Sequence, residues 1–185
     1  MSITTTTISL TFFSIIRVIH CNSTGGVVTG NQVAGIDINN VGAFPAASAF
    51  IGIYVNNATA PSQVNNNIVG SSGVGATANS IRVLSSSTST ATSVTGIAIG
   101  SSIVSAVQVD GNLINNISFL NSSVPAFTGG LTGISSAAAG AASITITNNT
   151  VSRDSIANYS TGLFYGIYNS GAASTISINN NTLLG

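Results

Sequence analysis

Apolar residues in this chain come in pairs split by one polar residue, and each pair runs within two positions into asparagine. Ile144-Thr145-Ile146 leads to Asn148-Asn149 and then Val151, and Ile176-Ser177-Ile178 leads to Asn180-Asn181 and then Leu183. Period two puts both apolar side chains on one face of a strand. Asparagine enters the left-handed backbone region at low cost, so the Asn pair predicts a sharp corner. The arm beyond it is too short for a hairpin, which leaves a corner between two faces of a coil.

A second module alternates with the first. It is Gly followed by apolar residues: Gly26-Val27-Val28, Gly52-Ile53-Tyr54-Val55, Gly96-Ile97-Ala98-Ile99, Gly133-Ile134 and Gly166-Ile167-Tyr168. From each Gly to the apolar residue before the asparagines (Ile38, Val64, Val109, Ile146, Ile178) the offsets are 12, 12, 13, 13 and 12 residues. From there to the next Gly they vary freely, at 14, 32, 24 and 20. A fixed offset followed by a free one describes coils stacked along an axis, with one loop position outside the stack. Three faces per coil account for the two modules. Each strand then pairs in parallel with its equivalents in the coils on either side, and the asparagines of successive corners stack into a ladder: Asn40, Asn67, Asn112, Asn149 and Asn181. One corner carries Gly111 in place of its first Asn. The segment 70–95 departs from the scheme. Its Ile81-Arg82-Val83-Leu84 has strand character and reads either as a strand carried by the loop or as a short extra rung.

Gly-Ile-x-hydrophobic alternating with Ile-x-Asn-Asn-x-hydrophobic resembles the right-handed parallel β-helix proteins of the pectate-lyase-like superfamily, in their Ser/Thr/Asn-rich bacterial secreted and surface forms. The resemblance runs from about Val27 to Leu184. It implies an all-β, right-handed parallel β-helix of about five coils with variable outer loops; the handedness also fits the rule for parallel crossovers. The family holds polysaccharide lyases and hydrolases, adhesins, and architectural modules. Residues 1–185 read as one domain, expected to be a segment of a longer array or a stacking unit.

Composition narrows the function. Charged residues are 3% of the chain, and the whole inventory is Arg17, Arg82, Arg153, Asp37, Asp110 and Asp154, with His20 the single histidine. Three scattered arginines cannot follow a phosphate backbone, so nucleic acid is not an expected partner, nor is an anionic membrane surface. A nearly uncharged surface lacks the repulsion that keeps copies apart, so further copies or adjoining repeats are expected partners. Membrane insertion is not expected, since Arg17 interrupts the longest apolar run, and that run lacks the marks of a signal peptide. The lone Cys21 makes no intrachain disulfide.

Little catalytic chemistry is on offer. Asp154 reads as a solvated neighbour of Arg153. Asp37 and Asp110 each flank an inward residue and are expected to share an outer face, roughly 12 Å apart by strand geometry. That exceeds the ~6.5–9.5 Å of an inverting carboxylate pair. Neither a metal site nor a cofactor is expected: calcium needs several clustered carboxylates, and His20 with Cys21 cannot build a zinc site. Tyr54 and Tyr168 should point outward, three coils apart, where they could stack on sugar rings. The expected function is a non-enzymatic structural or adhesive β-helix module of an extracellular or cell-surface protein, stacking end to end into fibres. The alternative is a carbohydrate-active or glycan-binding β-helix using Asp37 and Asp110. Outward residues beside the corners (Asp37, Gln63, Gln108, Thr145, Ser177) form no regular threonine array, which disfavours ice binding.

Overall fold

A computed structural model describes residues 6–9, 15–22, 24–39, 48–56, 58–72, 80–85, 93–121, 130–157 and 163–184. Every regular element among them is a strand. Each of the first four coils lays down four strands. Strands β2 (Ile16–Asn22), β3 (Val27–Thr29), β4 (Gln32–Val33) and β5 (Ile36–Asn39) make the first coil. The second is β6 (Ser48–Asn56), β7 (Ser62–Asn65), β8 (Ile68–Gly70) and β9 (Ile81–Ser85). The third is β10 (Ser93–Ile99), β11 (Ala106–Asp110), β12 (Leu113–Asn115) and β13 (Ile117–Asn121). The fourth is β14 (Gly130–Ser136), β15 (Gly140–Thr147), β16 (Thr150–Ser152) and β17 (Ser155–Ala157). The fifth is β18 (Leu163–Asn169), β19 (Ala173–Asn179) and β20 (Thr182–Leu184). Strand β1 (Thr6–Ser9) precedes them all.

Equivalent strands stack into four parallel sheets of five strands. Sheet I is β2-β6-β10-β14-β18, sheet II is β3-β7-β11-β15-β19, sheet III is β4-β8-β12-β16-β20 and sheet IV is β1-β5-β9-β13-β17. The chain is a parallel β-helix solenoid. Its core is made of columns, in which one inward position recurs coil after coil. Val28, Val64, Val109, Ile146 and Ile178 form one column in sheet II, and Val33, Val69, Ile114, Val151 and Leu183 form one in sheet III. Away from the last coil these residues are nearly all fully buried, and each contributes about 1.5–3 kcal/mol by leaving water.

Two corrections follow from the register. The coil has four faces, not three. Ile81–Ser85 is neither a loop strand nor an extra rung; it is the second coil's strand of sheet IV, paired with Ile36–Asn39 on one side and Ile117–Asn121 on the other. The first coil also sits one face away from its expected phase. Val28, not Ile38, pairs with Val64. Ile38 lies in sheet IV beside Val83. The place held by Gly52, Gly96, Gly133 and Gly166 in sheet I is held by Val18 in the first coil.

The glycine column marks the closest approach of two sheets. A β-carbon at Gly52 would stand 2.6 Å from the Gly96 carbonyl oxygen and 2.6 Å from a Val69 methyl. Gly96 and Gly133 repeat this against Ile114 and Val151, and Gly166 meets Leu183. Sheet III side chains therefore rest directly on the sheet I backbone.

The corner from sheet II to sheet III is always two residues. Its first residue is Gly30, Asn66, Gly111, Asn148 or Asn180, each with φ between 55° and 64°. Only glycine and asparagine enter that region cheaply, which is why Gly111 replaces an Asn without altering the turn. The next corner, into sheet IV, has positive φ at Gly35, Asn116 and Arg153.

Candidate functional site

The second corner residue is asparagine in every coil, and it is turned inward. Asn67, Asn112 and Asn149 are at most 1% exposed. Each amide does two jobs. Its oxygen accepts from the preceding corner: Asn67 Oδ1 takes the backbone N–H of Asn31 at 3.0 Å, and Asn112 Oδ1 takes that of Asn67 at 2.9 Å. Asn149 Oδ1 and Asn181 Oδ1 continue the series. Its nitrogen donates to a core-strand carbonyl of the preceding coil, as Asn112 Nδ2 does to Val64 O at 2.7 Å, to its own corner, and to the next amide. The backbone groups that a corner would orphan are thus satisfied inside the molecule. The ladder runs Asn31, Asn67, Asn112, Asn149, Asn181. Asn40 lies outside the described residues; the first coil's place in the ladder is Asn31, one face earlier than expected because of the phase shift.

The acidic residues are held apart. Asp37 is in sheet IV, where its carboxylate takes Nε and Nη2 of Arg82 at 3.0 and 2.7 Å. The pair holds the Arg82 proton more tightly than usual. Asp110 is in sheet II, where Oδ1 accepts from Thr147 Oγ1 at 2.7 Å and Asn148 Nδ2 at 2.8 Å. The expected shared face does not exist: phase slippage in the first coil carries Asp37 to a different sheet.

Asp154 is not simply solvated. By register it stands in the column of Ile36, Ile81 and Ile117. Oδ1 accepts the backbone N–H of Ile117 at 2.8 Å. Oδ2 is shut away from solvent with no partner among the described residues. Burial outweighs that hydrogen bond and pushes its pKa up to about 7. Nothing in the sequence signals this, since Arg153-Asp154 looks like any exposed charge pair.

Tyr54 and Tyr168 occupy one column of sheet I, separated by Ala98 and Ser135. They are not equivalent sites. Arg17 lies over the Tyr54 ring at 4.5 Å, with His20 at 5.0 Å, whereas Tyr168 stacks on Tyr165 at 4.7 Å and stays 42% exposed. The outer face of sheet II carries an open groove of about 250 Å³ that sequence reading missed, lined by Pro61, Ser62, Gln63, Gln108, Ser143 and Thr145 among others. None of its lining side chains is charged, and Pro61, Ala106 and Val107 make part of it apolar.

No group of three or more metal-ligating side chains occurs among the described residues, and no helix there is long and apolar enough to cross a membrane. Comparison with known proteins finds no matching family model, no similar curated protein and no similar solved structure.

Proposed function

We propose that this chain is a structural or adhesive β-helix module of a secreted or cell-surface protein, of pectate-lyase-like ancestry, and that it performs no catalysis. The observation that carries the reading is the engagement of its acids. Asp37 is tied to Arg82 and Asp110 to Thr147 and Asn148, on different sheets. Hydrolysis of a glycosidic bond by paired carboxyls needs both to face that bond, and these two face none in common. The rest of the described chain is a nearly uncharged polar wall around a largely apolar core, suited to hold and display surface.

The groove on sheet II favours a second role for that wall. Amides and hydroxyls without charge match neutral sugar rather than an ionic ligand, and an exposed Tyr165–Tyr168 platform adds a stacking surface. A panel of neutral and acidic polysaccharides, assayed for turnover and for retention by the immobilised protein, tests both points. The expected result is no turnover, and weak retention of neutral glycans reduced by Gln108→Ala. Turnover abolished by Asp37→Asn or Asp110→Asn would overturn the non-catalytic reading.

A further inference from the structure

The groove on the outer face of sheet II runs across the strands, along the axis of the solenoid. Ala106 pairs with Ser143, and Pro61, one residue before the Ser62–Val107 pair, completes that position in the second coil. Two residues further on, Gln63, Gln108 and Thr145 form a second column. Ser62, Val107 and Ile144 lie between the two columns and face the core, so both columns point outward. The first is made of short, exposed side chains and serves as a floor. The second, with its two glutamines, stands along it as a wall. The groove belongs to the second, third and fourth coils, each with a coil on either side. Its shape therefore owes nothing to either end of the stack.

An occupant of this groove meets an equivalent residue once per coil, every ~4.8 Å. An extended peptide advances ~3.3 Å per residue and falls out of step within two coils. A nucleic acid brings phosphates, and no lining side chain is a cation. A glycan whose hexose rings are joined through equatorial bonds fits both tests. It is straight and uncharged, and each ring advances by about one coil. Pro61 and Ala106 suit the C–H face of a ring. The wall can pair with hydroxyls along the ring's edge, since a carboxamide offers donor and acceptor side by side. Gln63 is already oriented for this: its Oε1 accepts from Asn65 Nδ2 at 3.3 Å, which leaves Nε2 to donate.

We propose that this groove binds a linear, neutral, β-linked hexose chain laid parallel to the solenoid axis, one ring per coil, with Gln63 and Gln108 reading its hydroxyls. The proposal rests on the glycan-binding reading of the sheet II wall and adds the class of glycan, its direction and its register. An α-linked chain curls as it advances and leaves a straight floor after a ring or two.

The purified chain is titrated with cellulose-type oligosaccharides of increasing length, and with amylose-type oligosaccharides of the same lengths, while backbone amide shifts are followed by NMR. Shifts should concentrate in β7, β11 and β15. Affinity for the cellulose type should rise severalfold with each ring up to three, the number of coils in the groove, and the amylose type should bind about tenfold more weakly or worse. Ala106→Ile fills the middle of the floor with a side chain that strands favour, and should weaken binding about tenfold with the circular dichroism unchanged. Gln108→Ala leaves the floor open and should weaken binding about threefold. Equal affinity for the two series, no dependence on length, shifts centred on Tyr165 and Tyr168, or unchanged affinity in both variants would overturn this proposal and leave the wall a glycan surface of another kind. Absence of binding to either series would remove both readings together. If Ala106→Ile fails to fold, Gln108→Ala and the length series decide.

Discussion

At the scale of single residues, one amide per coil holds the corner together. Asn112 accepts from the backbone and side chain of Asn67, and gives protons to Val64 O, Asp110 O and Asn149 Oδ1. Cutting it to alanine strands a buried N–H and a buried carbonyl, each worth about 1–3 kcal/mol. Asn112→Ala is therefore expected to cost about 3–5 kcal/mol in urea unfolding, far more than Asn65→Ala on the half-buried outer face. The composition of the corner was legible in the sequence, since an Asn pair after alternating apolar residues has few other uses. What was hidden was the division of labour within the pair: the first residue supplies a backbone angle, and the second supplies hydrogen bonds.

Asp154 is the residue whose charge the fold opposes. Its pKa rises from 3.8 to about 7 on folding. Protonated, it favours the folded state, and that contribution is complete below about pH 4. It falls as pH rises towards 7 and stays lost above it, at ~1.4 kcal/mol for each pH unit between the two values. Chemical denaturation between pH 4 and 8 should show this decline. Asp154→Asn keeps an acceptor for Ile117 N–H and removes the charge; its profile should be flatter over that range and its stability higher at pH 8. A variant that declines as steeply as the parent would place the titration elsewhere.

At the scale of elements, the pairing of sheets I and III depends on glycine. Gly133→Ala would press a methyl to 2.6 Å from Gly166 O and from a Val151 methyl. Overpacking of this kind costs about 1–3 kcal/mol. Val151→Ala removes only the side-chain half of the clash, so a double-mutant cycle on the two positions should show a favourable coupling of about 1 kcal/mol. Additivity would mean that the backbone alone opposes the methyl. Elements were also where sequence reading failed. Three sheets announce themselves through fixed offsets, because the corner between II and III is always two residues. Sheet IV has no such ruler. It follows its corner after two residues in the first coil, ten in the second and one in the third. Asp154 further breaks the apolar pattern of Ile36-x-Ile38 and Ile117-x-Phe119 in the fourth coil. The first coil misled for a different reason: Gly26-Val27-Val28 imitates the glycine module, while the true position is held by Val18.

At the scale of the molecule, stability is shared between neighbouring coils, each resting on the two beside it. Protection against amide exchange should then be greatest in β10 to β16, which are covered on both sides, and least in β18 to β20, whose inward residues are open. Exchange measured on the purified chain should give that gradient directly. Equal protection along the axis would mean that the solenoid opens only as a whole. The near absence of charge has a matching effect: with one Asp–Arg pair about a third exposed, salt should shift stability little.

The amide corners recur at residues 31, 67, 112, 149 and 181, so the chain between them runs anywhere from 32 to 45 residues. What must agree from one turn to the next is the corner and not the distance travelled to reach it. A gene segment copied from any point in one turn to the matching point in the next would re-enter the stack in step, whatever its length. Such a protein can lengthen by whole turns through simple duplication, and each new turn arrives with its own left-handed hinge and its own buried amide.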